Sequence, residues 1–114
     1  MIERQNDSSK RVVLALTTFS DLEKARQFGT QVVDAQLVAC ANLQAGLESI
    51  YRWKGKVEIE QECLVIMKTV ASQTEALEKF VQENHPYEEP EFLVLPVEEG
   101  SATYLDWVRQ NVLE

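Results

Sequence analysis

At 114 residues, with 45% hydrophobic and 26% charged side chains, the chain has room for one core and is too apolar for disorder. A formal net charge of −8 excludes a nucleic-acid binder, because holding phosphates takes clustered Lys and Arg that release counterions. No run approaches the roughly 18 consecutive apolar residues that span a bilayer, so no membrane partner is expected.

Residues 1–10, MIERQNDSSK, hold one aliphatic side chain beyond the first Met and lack the apolar stretch of a secretory signal. They read as a disordered tail, which leaves residues 11–114 as the domain. Residues 12–16, VVLAL, form a short β-prone run. Ser20 and Glu23 make a capping box, and Leu22, Ala25, Phe28, Val32 and Val33 then recur at helical spacing as far as about Gln36. Residues 39–43 and 49–53 read as strand separated by Gly46, and Lys54-Gly55-Lys56 supplies a hairpin turn. The return strand alternates at Val57 and Ile59, then becomes continuously apolar from Cys63 to Met67. A second helix spans about residues 72–84, capped by Ser72 or Thr74, with Leu77, Phe80 and Val81 as its stripe. Pro86 and Pro90 stop it. Residues 91–97 form a last strand, and a short helix after Gly100 carries Tyr104, Leu105, Trp107 and Val108.

The order β-α-β-β-α-β plus a C-terminal helix is the α+β, ferredoxin-like arrangement, with both main helices on one face of an antiparallel sheet. Such a sheet alternates apolar and polar residues when its other face is wet. Residues 12–16, 63–67 and 92–95 do not alternate, so both faces are apolar. Each aliphatic side chain left in water would forgo roughly 1.5–3 kcal/mol. Self-assembly through the sheet follows, with copies of the same chain as the main partner.

Several segments, in this order and spacing, resemble the CutA family of divalent-cation tolerance proteins. They are Ala39-Cys40-Ala41-Asn42, Ser49-Ile50-Tyr51-Arg52-Trp53-Lys54-Gly55-Lys56, Glu62 with Lys68-Thr69, His85-Pro86-Tyr87-Glu88-Glu89-Pro90-Glu91, and Tyr104-Leu105-Asp106-Trp107. The resemblance implies a homotrimer like the PII signalling proteins, its sheets facing inward, and a role in tolerance of divalent cations, copper among them. In copper-binding members the ligands are a Cys just after the first strand and a His pair opening the H-P-Y motif. Here Thr17 and Asn84 stand at two of those three positions, and His85 alone carries over as a metal ligand.

His85 is the only histidine, with Glu88, Glu89 and Glu91 close by as oxygen donors. Glu62 and Lys68 share strand parity, and a Lys ending a buried strand calls for an acidic partner, in the same chain or across a subunit boundary. Tyr51 and Trp53 share a face near the hairpin tip, as cleft linings or interface anchors. With Tyr87 and Glu91 these residues surround the expected cleft between subunits. Cys40 and Cys63, on neighbouring elements that could bring them together, form no C-x-x-C pair and point to a reducing, cytoplasmic setting. No nucleophile elbow, phosphate-binding glycine loop or H-E-x-x-H motif is present, so no enzyme is expected. The competing reading is a PII-like signalling or scaffold trimer that binds a small ligand or a protein.

Overall fold

The computed structural model describes residues 1–114. Its elements run β1 (Ile2–Arg4), β2 (Val12–Phe19), α1 (Leu22–Asp34), β3 (Cys40–Trp53), β4 (Lys56–Val70), a 3₁₀ turn (Ala71–Gln73), α2 (Thr74–Asn84), β5 (Leu93–Pro96), β6 (Glu99–Ser101) and α3 (Ala102–Gln110). The main sheet has the order β3-β4-β2-β5, all neighbours antiparallel, which is the ferredoxin-like arrangement. No helix is long and apolar enough to cross a membrane.

Strand parity decides which side chains meet. Ala15 and Phe19 of β2 and Cys63, Val65 and Met67 of β4 point to one face. There they pack with Ala25, Phe28 and Val32 of α1 and Leu77 and Val81 of α2. The opposite face carries Leu14, Leu16, Leu64 and Ile66, all only partly buried. Leu95 stands beside Leu14 and Leu93 beside Leu16 in the register, and these two are 40% and 54% exposed. α3 covers only one end of this face, where Leu105, Val108 and Val112 enclose Val12 and Val70. The face expected to be apolar and uncovered is therefore present.

Local chemistry sets the boundaries, not always at the expected residue. α1 is capped by Asp21, whose carboxylate accepts the Lys24 N–H at 2.8 Å; Ser20 is one residue too early. The charged carboxylate also meets the positive end of the helix dipole. The helix ends at Asp34 rather than Gln36, because Gln36 turns left-handed at φ 60°. Neither Ser72 nor Thr74 caps α2: Gln73 is the N-cap, and the Thr74 hydroxyl donates back to the Ala71 carbonyl. The two predicted middle strands are one. Gly46, at φ 79°, makes a bulge between the Gln44–Leu64 and Leu47–Glu62 pairs instead of a break. The hairpin turn falls at Lys54 and Gly55, at φ 50° and 80°, matching the right-handed strand twist.

The expected disordered tail over residues 1–10 is instead a strap. β1 pairs antiparallel with β6, Ile2 opposite Ser101. Gln5 Nε2 donates to the carbonyls of Val12 and Val97, and its Oε1 accepts the Val12 N–H. Arg109 donates to Glu3 at 2.7 Å, to Gln5 at 3.0 Å and to the Lys10 carbonyl at 3.0 Å. The segment is held by polar bonds to residues about a chain length away, so its lack of apolar side chains did not prevent order.

Candidate functional site

The site begins where α2 is forced to stop. Pro86 bars helical geometry at the preceding residue, and His85 turns extended at φ −95°, ψ 137°. This swings its ring onto Phe19, with centroids 4.1 Å apart. Nε2 then lies 2.6 Å from the Thr18 carbonyl, and Nδ1 lies 3.1 Å from the Tyr87 N–H. A carbonyl only accepts and an amide N–H only donates, so Nε2 carries the proton and Nδ1 holds the accepting lone pair. The imidazole is neutral with both nitrogens spent on backbone. Burial lowers its pKa, against the opposing pull of the Thr18 carbonyl and Glu62.

That lowering has a direction in stability. Between the folded pKa and the ordinary 6.5, the unfolded chain binds more proton than the folded one. Stability from His85 is therefore complete above about 6.5 and is lost as pH falls through the folded value. A His85→Gln variant can donate to Thr18 and accept from Tyr87 without titrating. The unfolding free energy of wild type relative to that variant, measured in urea, is expected to fall below pH 6.5. A pH-independent difference would refute the buried neutral imidazole.

Past His85 the chain lines a cleft of about 660 Å³ against the outer half of the β3–β4 hairpin, near its turn. Tyr51, Trp53, Glu62, Tyr87 and Glu91 all line it, together with Thr18. The Tyr87 hydroxyl donates to Glu62 Oε2 at 2.7 Å. Burial and the Glu62 carboxylate push the Tyr87 phenol well above its usual range. Burial, then Glu62, also raises Glu91. At the rim, Lys54 Nζ lies 3.9 Å from Glu88 and 5.6 Å from the centre of the Trp53 ring.

Two expected members are elsewhere. His85 supports the wall from behind and does not line the cleft. Lys68 shares the face of Glu62 but stands six residues along β4, about 20 Å away in an extended strand. No Glu62–Lys68 pair forms within the chain, and the Lys68 ammonium lies over the Tyr104 ring at 5.7 Å. The residues 88–90 wall, of which Glu88 and Glu89 are expected only as oxygen donors beside His85, lines the cleft too, and Thr18, Ser49 and Ile50 are linings the sequence reading misses. The H-P-Y-x-x-P-E spacing was a signal for the first, whereas Thr18 looked like ordinary strand.

The nitrogen and sulfur donors do not converge as a copper site requires. Both nitrogens of His85 are engaged, and Asn84 folds back to donate to the Phe80 carbonyl at 2.9 Å. Cys40 pairs with Lys68 and Cys63 with Phe19, so the two thiols lie on opposite faces, about 16 Å apart along β4. The expectation that they could approach each other fails on register. Burial also raises the Cys63 thiol, which disfavours the thiolate a metal needs. Thr17 is fully buried on the helix side, its hydroxyl without a partner. Thr17→Val is expected to stabilise the fold by about 1–2 kcal/mol in guanidinium unfolding, because it removes an unsatisfied buried group. A destabilisation would show that the hydroxyl has a native partner.

A family model described as CutA1 divalent ion tolerance protein matches residues 13–111. The human protein named Protein CutA is 44% identical over 99 residues, which is 87% of this chain and 55% of that protein. The Divalent-cation tolerance protein CutA of Thermus thermophilus is 42% identical over 98 residues, 86% of this chain and 95% of that one. The chain spans little more than half the length of its human and mouse relatives, at 55% and 56%. Among solved structures, CutA from Synechococcus elongatus PCC7942 superposes with a TM-score of 0.91 at 34% identity, covering 99% of this chain and 96% of that one. CutA1 from Oryza sativa gives 0.89 at 33% identity, covering 94% and 99%.

Proposed function

The chain belongs to the CutA1 divalent ion tolerance family, and from that premise we propose that it serves divalent-cation tolerance as a non-enzymatic homotrimer with ligand-binding clefts. The observation that carries this reading is the uncovered face of Leu14, Leu16, Leu64, Ile66, Leu93 and Leu95. Six partly wet aliphatic side chains per copy leave several kcal/mol of burial unrealised, which assembly through the sheet would recover. The clefts then lie at the seams between copies, and a reducing cytoplasm suits two free cysteines too far apart to bridge.

Within that role, small-ligand binding of the PII-like kind has the better support over copper storage on this chain. The cleft has the volume of a small-molecule site, while His85 has no lone pair to give. Sedimentation equilibrium is expected to give a particle of three times 13.0 kDa. Titrations with Cu(I), Cu(II) and Zn(II) are expected to show no stoichiometric micromolar site dependent on His85. A monomer at micromolar concentration would overturn the assembly. Copper binding abolished by His85→Ala would overturn the second half.

A further inference from the structure

We infer that the cleft recognises a small organic ammonium compound, held between the aromatic walls Tyr51, Trp53 and Tyr87 and the carboxylates Glu62 and Glu91. This deepens the ligand-binding reading above and rests on it.

The cleft is too large and too aromatic for a bare metal ion. A hard cation needs several oxygens converging at about 2–2.6 Å and gains little from ring faces beyond that shell. An alkylammonium gains from both features at once: its charge is drawn to the π-face, and its methylenes bury against the rings. At about 660 Å³ the space matches a molecule of several heavy atoms.

The chain itself shows this recognition at the rim. Lys54 places a primary ammonium 5.6 Å over Trp53 and 3.9 Å from Glu88. That cation serves the rim alone. No Lys, Arg or His of the same chain lies within 4.0 Å of the Glu62, Glu89 or Glu91 carboxylates. Glu62 has only the Tyr87 hydroxyl, and its charge together with burial already disfavours ionised Glu91. Within one chain the inner cleft therefore holds unneutralised acid beside ring faces open to the cleft, Tyr51 being 41% and Trp53 37% exposed. An incoming ammonium supplies the missing partner.

The test is calorimetric titration of the full chain with cadaverine, against pentanediol as the uncharged counterpart and Mg(II) as an inorganic cation. Saturable cadaverine binding is expected, with none for the diol. Glu62→Gln and Trp53→Leu are each expected to weaken it about tenfold. Lys54→Ala is expected to tighten it, because the internal ammonium no longer competes at the rim. General attraction to a chain of charge −8 would be indifferent to Trp53→Leu, and that outcome overturns the assignment. Equal binding of the diol, or Mg(II) binding that displaces cadaverine and is equally sensitive to Trp53→Leu, also overturns it. Sedimentation in the same buffer reports the assembly separately from the ligand. Absence of cadaverine binding by a protein that sediments as a trimer thus defeats the ligand class and leaves the assembly standing. A monomer that binds cadaverine does the reverse.

Discussion

Replacing Ile66 with glutamate is expected to turn a particle of three times 13.0 kDa into a folded 13.0 kDa monomer. Ile66 lies on β4, a central strand, opposite Leu16 on one side and Asn42 on the other. It points away from both main helices and is only partly buried in the single chain. A glutamate there can reach water in the monomer, so the helix-side core of Val65, Met67 and Leu77 stays intact. In the proposed assembly the same position faces other copies. Each copy would lose roughly 1.5–3 kcal/mol of aliphatic burial and bring in an unpaired carboxylate costing several more. Three copies multiply the penalty, and like charges meeting near a symmetry axis add to it. Sedimentation equilibrium reads the mass, and far-UV circular dichroism reads the fold. Ile66→Val, which removes a single methylene, is expected to remain assembled. An Ile66→Glu trimer at micromolar concentration would place the interface elsewhere.

That face was legible in the sequence because strand parity is a local property. Cys63 to Met67 shows two apolar sets in five residues, whatever lies opposite. The order of elements was legible for a similar reason: Gly55, Pro86 and Pro90 punctuate runs whose period changes from helical to alternating. What escaped was set by partners remote in sequence. Nothing near Glu3 or Gln5 signals that Arg109 will clamp them, so the strap looked like a tail. Shared parity made Glu62 and Lys68 look like a pair, yet parity says which face and not how far along it. The bulge at Gly46 changes which β3 residues share that face. Across it Leu47, Ser49 and Tyr51 follow Gln44 on the side of Glu62. The sequence groups Tyr51, Trp53, Glu62, Tyr87 and Glu91 with Lys68 and His85 around a cleft, and the structure brings only the first five together. Residue type alone makes His85 a candidate ligand. Its actual partners, a carbonyl of β2 and an N–H two residues on, are backbone groups that side-chain identity does not reveal.

Phe19 connects the core to the cleft, and its truncation is expected to have the largest effect of any single core change. The ring is 1% exposed, 5.0 Å from Phe28 and 4.1 Å from His85, so it ends the helix-side core and begins the site. Phe19→Ala is expected to cost about 3–5 kcal/mol in denaturant unfolding, the range for emptying a buried aromatic position. In a domain of this size that is a large fraction of the total stability. The milder Phe19→Leu keeps most of the volume and removes the stacked face, and it tests the coupling. Loss of the ring opens the imidazole to water, and desolvation is the largest cause of its lowered pKa. The His85 titration is therefore expected to move up toward 6.5, read without ambiguity by NMR because the chain has one histidine. With the imidazole hydrated, its bonds to Thr18 and Tyr87 compete with water, and the wall formed by residues 87–91 loosens. Hydrogen exchange at the Tyr87 amide, bonded to His85 Nδ1, is expected to quicken in the same variant. An unshifted His85 titration in Phe19→Leu would mean that other groups exclude water from the imidazole. The cleft wall would then be anchored independently of the core.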